Sequence, residues 1–136
     1  REDAMGLFTG MDDLLKDLKQ RHLLAIATGN SRRALDRALA PTGVGPYFSA
    51  SRCADETNPK PHPAMLLELM DELDVSKEHI LMIGDTTHDL EMAKAAEVDS
   101  VAVTYGAHPE EGLRACKPLG CFSTVDSLSL WLKQNA

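Results

Sequence analysis

The chain has 136 residues, 43% of them hydrophobic and 26% charged, with 14 Lys and Arg against 21 Asp and Glu for a net charge of −7. That length suits a single domain over residues 1–136, and that composition excludes the disordered and fibrous classes. The acidic balance argues against nucleic acid as a partner, and apolar runs as short as Leu23 to Ala27 argue against a membrane span. In chain order, Met11, Leu14, Leu15 and Leu18 fall on one helical face, with Thr9 predicted as N-cap and Asp12 and Asp13 suited to the first turn. Leu23 to Ala27 is a continuous apolar run, the pattern of a strand buried on both faces of a parallel sheet. Ser31 should cap a helix that runs to about Ala40 and stops at Pro41, and Tyr47 to Cys53 is a weaker strand. Asp55 to Pro63 is a polar, proline-rich loop that places Pro63 at the first position of a helix carrying Leu66, Leu67, Met70 and Leu73. Ile80 to Ile83 is the clearest strand, closed by Gly84 and Asp85, and His88 or Asp89 opens a helix to about Ala96. Ser100 to Tyr105 reads as another buried strand. Gly106 to Pro118 reads as loop plus short helix, Cys121-Phe122 as a strand stub, and Asp126 to Lys133 as a terminal helix. Strands separated by helices imply right-handed crossovers and a doubly wound parallel α/β sheet.

Ligands bind such sheets at the carboxyl ends of the strands, and three polar clusters fall there or close by. Thr28-Gly29-Asn30-Ser31 offers a hydroxyl, a flexible glycine and main-chain N–H groups to an anion such as phosphate; its plain alternative is a strand-to-helix turn with Ser31 as cap. Gly84-Asp85-Thr86-Thr87-His88-Asp89 sets two carboxylates four residues apart after a buried strand. Such a pair attracts a hard cation, most often Mg²⁺ where phosphate also binds; alternatively Asp89 only places charge at a helix N-terminus. Asn58-Pro59-Lys60-Pro61-His62-Pro63 stiffens the backbone around Lys60, which could then serve as a fixed positive charge for a phosphoryl group or be an exposed turn lysine. His62 and His88 are read as structural. Cys53, Cys116 and Cys121, with no CxxC spacing, are read as small core residues in a reduced, cytoplasmic setting.

The order and spacing of the three clusters resemble the haloacid dehalogenase (HAD) superfamily, above all its phosphoglycolate-phosphatase-like members, over about Leu7 to Leu132. Ala25-Ile26-Ala27-Thr28-Gly29-Asn30 is similar to the family's second motif, Lys60 in Lys-Pro-His-Pro to the third, and Ile83-Gly84-Asp85-Thr86-Thr87-His88-Asp89 to the fourth. The resemblance implies an α/β Rossmannoid core and Mg²⁺-dependent hydrolysis of a small phosphorylated substrate through an aspartyl phosphate. In that scheme Thr28, Lys60 and Asp85 are catalytic. Thr28, Gly29, Asn30 and Lys60 bind phosphate, and Asp85 and Asp89 hold the metal. The family's first motif, DxDGT with its strand, has no match, since Glu2, Asp3, Asp12 and Asp13 follow no hydrophobic strand, and no cap domain is seen. With Arg1 in the first position, the expectation is the C-terminal part of a longer enzyme, inactive alone because it lacks the nucleophile. Glu97 stands where the family usually ends a helix with Gly, so a positive φ is expected there.

Two alternatives from other classes stay open at this point. One is a non-catalytic phosphate- or Mg²⁺-binding module, a pseudo-phosphatase. The other is a receiver-type signalling domain, disfavoured because the acid pair follows a late strand. In the family the first-motif strand lies between the strands ending at Thr28 and Asp85. A chain without it is expected to close the slot, by pairing those strands directly or by taking a strand from its own missing N-terminal part or another copy. Arg1 to Met5 is too polar for that place.

Overall fold

A computed structural model describes residues 10–105 and 109–136. The predicted cap Thr9, the polar start Arg1 to Met5 and the loop residues 106–108 lie outside the described residues. The first helix, α1 (Met11–Lys19), starts after Gly10 at φ 86° with no side-chain cap, and buries Leu14 and Leu18. Strand β1 is Ala25–Ala27. Helix α2 (Arg32–Leu39) begins as expected at Ser31, whose Oγ accepts the Ala34 N–H at 3.1 Å. Strand β2 is Ala50–Arg52 and helix α3 is Ala64–Leu73. Pro63 occupies the N-cap place rather than the first helical position, and His62 Nδ1 accepts the otherwise unpartnered Ala64 N–H at 3.0 Å. Strand β3 is Leu81–Gly84, helix α4 is Thr87–Ala95 and strand β4 is Asp99–Val103. Helix α5 (Glu110–Ala115), strand β5 (Cys121–Phe122) and helix α6 (Val125–Asn135) complete the chain. Glu97, just past α4, has φ 61°, the left-handed conformation expected of it, and its carboxylate meets Lys77 Nζ at 2.6 Å.

Every strand pairing is parallel. β1 pairs with β2, and β3, β4 and β5 form a second sheet in that order. Successive β4 side chains show that helices cover both faces. Val101 and Val103 pack with Leu14 and Leu18 of α1 and Val125, Leu128 and Leu132 of α6, while Ala102 packs with Leu90 of α4 and Leu113 of α5. The molecule is thus an α/β fold with a doubly wound parallel arrangement. No helix among the described residues is long and apolar enough to cross a membrane.

The expected direct pairing of β1 with β3 does not occur among the described residues: the two sheets stay separate. They nevertheless share their coverings. Leu24 and Leu81 lie against the α1–α6 cluster, and Ala27 and Met82 against the cluster of Met65, Leu66, Met92 and Ala93 from α3 and α4. Among the described residues, no strand lies between β1 and β3, and helices cover both faces of the slot that separates them. The slot corrects the expectation that both strands are buried on both faces. Ala25 is exposed, Ile83 is 38% exposed and Leu23 is 60% exposed, because nothing among the described residues packs beside them.

The opposite side of β2 is closed by arginines. The Ser51 carbonyl accepts from Arg32 Nη2 at 3.3 Å and Arg52 Nη1 at 2.9 Å. Arg32 is forked onto Glu56 at 2.9 and 3.0 Å, and Arg52 reaches Glu68 at 3.0 Å and Glu72 at 2.8 Å.

Candidate active site

β3 surfaces at Gly84, and the chain turns at once into α4. Thr86 and Asp89 close that helix reciprocally. Thr86 Oγ1 accepts the Asp89 N–H at 3.1 Å, and Asp89 Oδ2 accepts the N–H groups of Thr86 at 3.2 Å and Asp85 at 3.1 Å. The turn is tight enough to require glycine, since a Cβ on Gly84 would stand 2.4 Å from Asp89 Cβ. The other Asp89 oxygen, Oδ1, accepts from Lys60 Nζ, and this ion pair is largely shut off from water, with side chains 16% and 5% exposed. Lys60 arrives on the proline-rich loop ahead of α3, so the pair ties that loop to α4.

Asp85 is half-buried beside this pair. Burial, followed by the neighbouring Asp89 carboxylate, pushes its carboxyl above the usual range, and the Lys60 charge only partly offsets them. Tyr105, two residues beyond β4, is a neighbour of Asp85 that sequence reasoning missed. Its phenol is pushed up to about 12 by burial and by the Asp85 charge. The available signal was its place just past the carboxyl end of a strand adjoining β3.

Thr28 follows the carboxyl end of β1 as Asp85 follows that of β3. Its N–H donates to the Arg52 carbonyl at 3.1 Å, and its Oγ1 accepts the Asn30 N–H at 3.1 Å. Gly29 has open space where a Cβ would be, and the Asn30 carbonyl accepts the Ala54 N–H at 2.9 Å. The Arg32 N–H, at the start of α2, donates to Asp55 at 3.0 Å. The structure thus brings Lys60, Asp85 and Asp89 together. No hydrogen bond or ion pair among the described residues joins Thr28 to those three. His62 has the capping role given above, and His88 is exposed in the first turn of α4. Cys53 is fully buried, consistent with a core residue.

For a hard cation, the donors present are few. Both Asp89 oxygens are already engaged, which leaves the Asp85 carboxylate, and among the described residues no three His, Cys, Asp or Glu side chains gather to hold a metal. The described residues do not complete a Mg²⁺ site on their own.

A parallel α/β core with a lysine–aspartate pair and a second carboxylate at a strand's carboxyl end sets charged groups where such folds bind ligands. Residues 1–103 match the family model described as haloacid dehalogenase-like hydrolase. A protein of Dickeya dadantii named "Probable phosphatase IndB" is 40% identical over 118 residues, 85% of this chain and 51% of that protein. A phosphoglycolate phosphatase of Colwellia psychrerythraea is 37% identical over 112 residues, 82% of this chain and 50% of its own. Among solved structures, a HAD-superfamily hydrolase of subfamily IA from Geobacter sulfurreducens superposes with a TM-score of 0.73 at 29% identity, covering 86% of this chain and 56% of that one. The chain belongs to the haloacid dehalogenase-like hydrolases, and it spans about half the length of the curated relatives it matches. With the family shown, the receiver-type alternative falls away.

Proposed function

We propose that this chain is the core part of a phosphoglycolate-phosphatase-like, Mg²⁺-dependent phosphate-monoester hydrolase that works through an aspartyl phosphate, with the nucleophile outside these 136 residues. The partner is a small phosphorylated molecule rather than nucleic acid or membrane, and the setting is the cytoplasm. The observation that carries this reading is the Lys60–Asp89 pair beside Asp85. An ammonium group has three protons; with Nζ tied to Asp89, the remaining donors are held in a fixed place for phosphoryl oxygens. Thr28 is prepared in a similar way. Its oxygen accepts the Asn30 N–H, so its own proton is left to donate, with the Gly29 main chain exposed next to it. Thr28, Gly29, Asn30 and Lys60 would together bind the phosphoryl group, which needs positioning and charge neutralisation more than covalent help. When bound, Mg²⁺ would add charge neutralisation at the phosphoryl oxygens, held by Asp85 and by ligands beyond the described residues. Asp89 supports it indirectly by fixing Lys60 and the turn that carries Asp85.

Phosphate release from 2-phosphoglycolate and other monoesters tests the reading, measured for this chain and for a polypeptide extending it to the length of its relatives. Activity is expected only in the extended form, and Lys60→Met should lower its kcat roughly 100-fold or more. Turnover by this chain alone, or an unaffected Lys60→Met enzyme, would overturn the reading. Phosphate binding with no turnover in the extended form would favour the non-catalytic module.

A further inference from the structure

Pro63 leaves the start of α3 with a problem that His62 solves. Proline has no side-chain acceptor and cannot cap, yet the helix opens on buried residues, with Ala64, Met65 and Leu66 at most 9% exposed. The Ala64 N–H finds its acceptor in His62 Nδ1 at 3.0 Å. On its other side, the His62 N–H donates to the Pro59 carbonyl at 3.0 Å and closes a turn around Lys60 and Pro61. The residue that ties off the lysine's turn is therefore the residue that caps the helix. The rest of the loop is held by groups that keep one charge state through neutrality. Glu56, forked by Arg32, accepts the Cys53 N–H at 2.9 Å, and its carboxyl is held at about 2. Glu68 accepts from Thr57 Oγ1 at 2.5 Å, and that bond together with Arg52 holds its carboxyl below the ordinary range. Among the described residues, the His62 bond is the one hold on this loop made by a group of the class that titrates between about pH 5 and 8.

We infer that His62 is a positioning residue for Lys60 that acts only while its imidazole is neutral. A neutral ring with its proton on Nε2 offers a lone pair at Nδ1, whereas a protonated ring carries a proton on both nitrogens and cannot accept from Ala64. Protonation does more than remove a bond. It sets one N–H against another at the positive end of α3, so the exposed ring must turn away into water. The turn that His62 closes around Lys60 then loses its anchor on α3, and Nζ loses its fixed place beside Asp89. Acid thus weakens the phosphoryl-binding cation without any change in the charge of Lys60 itself. The other charged or titratable groups on the adjoining elements are Arg52 at the end of β2, Asp55 and Glu56 in the loop, Glu68 on α3, and Asp85 and His88 about the start of α4. His88 shares the imidazole chemistry, and substitutions of His62 separate the two. The inference rests on the reading of Lys60 as the group that meets the phosphoryl oxygens.

Nuclear magnetic resonance on the intact 136-residue chain tests it, as a pH titration read at the His62 ring nitrogens, the Ala64 amide and the Lys60 side chain. Above the midpoint the ring should be the tautomer with its proton on Nε2. As pH falls, the Ala64 and Lys60 signals should move with the same midpoint as the His62 ring. Exchange of the Ala64 amide, corrected for its intrinsic rate, should speed at least ~10-fold. His62→Asn puts an acceptor oxygen at the same branch of the side chain with no titrating proton, so it should keep the high-pH signals and abolish the Lys60 response. His62→Ala should show the low-pH signals throughout. In the extended polypeptide, His62→Ala should lower kcat on the order of 10-fold, and His62→Asn should rescue it with a pH profile that lacks the limb following the His62 ring. A Lys60 side chain that does not follow the His62 ring would make His62 a helix cap alone. A His62→Asn chain that titrates like the parent would place the response on His88 or Asp85. Either result overturns the inference. Should His62→Ala fail to fold, the parent titration and His62→Asn decide. The resonance readouts need no turnover, so an inactive extended polypeptide would sink the catalytic reading and still leave the coupling of His62 to Lys60 measured.

Discussion

Gly84 sets how closely β3 can approach the first turn of α4. A methyl group there would stand 2.4 Å from Asp89 Cβ and 3.0 Å from its Oδ2, so either the helix or the carboxylate must move. Gly84→Ala should destabilise the chain by about 1–3 kcal/mol, read as a lower urea midpoint at unchanged slope. Next to it, Asp85 keeps a carboxylate where the surroundings disfavour its charge. Its native pKa lies above the ordinary 3.8, so the folded state holds the proton more tightly than the unfolded one. Ionised Asp85 therefore costs stability once pH rises through its raised value, and the cost vanishes below the ordinary value. Asp85→Asn should melt at a higher temperature than the parent at pH 7, and the difference should close at pH 3. A group kept at such a cost is a mark of a functional position.

At the scale of elements, local signals were well preserved in the sequence. Ser31 caps α2 as its spacing predicts, whereas α4 starts at Thr87 rather than at His88 or Asp89, because Thr86 and Asp89 satisfy each other's N–H groups across the first turn. The left-handed backbone at Glu97 was expected only from the resemblance, whose members usually carry Gly there; the residue itself carries no such signal. Partnerships between elements were not legible. The partner of the loop residue Lys60 lies 29 residues away on α4, and nothing in the run from Asn58 to Pro63 names Asp89. The pair arises from how α3 and α4 pack. The same limit applies to the slot: an apolar run such as Leu23 to Ala27 announces a strand but not whether both neighbours are present. Arg32 and Glu56, which join α2 to the loop after β2, are another pair visible only in three dimensions. Arg32 holds the Glu56 carboxyl at about 2, below its ordinary 4.5. Its contribution to stability is complete above 4.5 and is lost as pH falls toward 2. Glu56→Gln should flatten the acid limb of the stability–pH curve in that window, as followed by urea unfolding at several pH values.

Across the whole molecule, two half-sheets are held in one body by shared helices and by the largely buried Lys60–Asp89 ion pair. Removing only the cation, as in Lys60→Met, strands the Asp89 carboxylate in a dry place and should cost on the order of 3 kcal/mol. The double variant Lys60→Met with Asp89→Asn should recover part of that loss, and a double-mutant cycle measures the coupling. No recovery would mean that the pair contributes nothing as a pair. The arginines on β2 carry a separate consequence. For molecules to polymerise through the β1–β2 sheet, that sheet would have to offer strand-pairing groups on both sides, one to receive and one to pass the ladder on. On the outer side the Ser51 carbonyl is already taken by two guanidinium groups, themselves anchored by Glu56, Glu68 and Glu72. Whatever enters the slot, this sheet can be extended in one direction only, and a chain reaction of edge-on-edge growth through it has no second link.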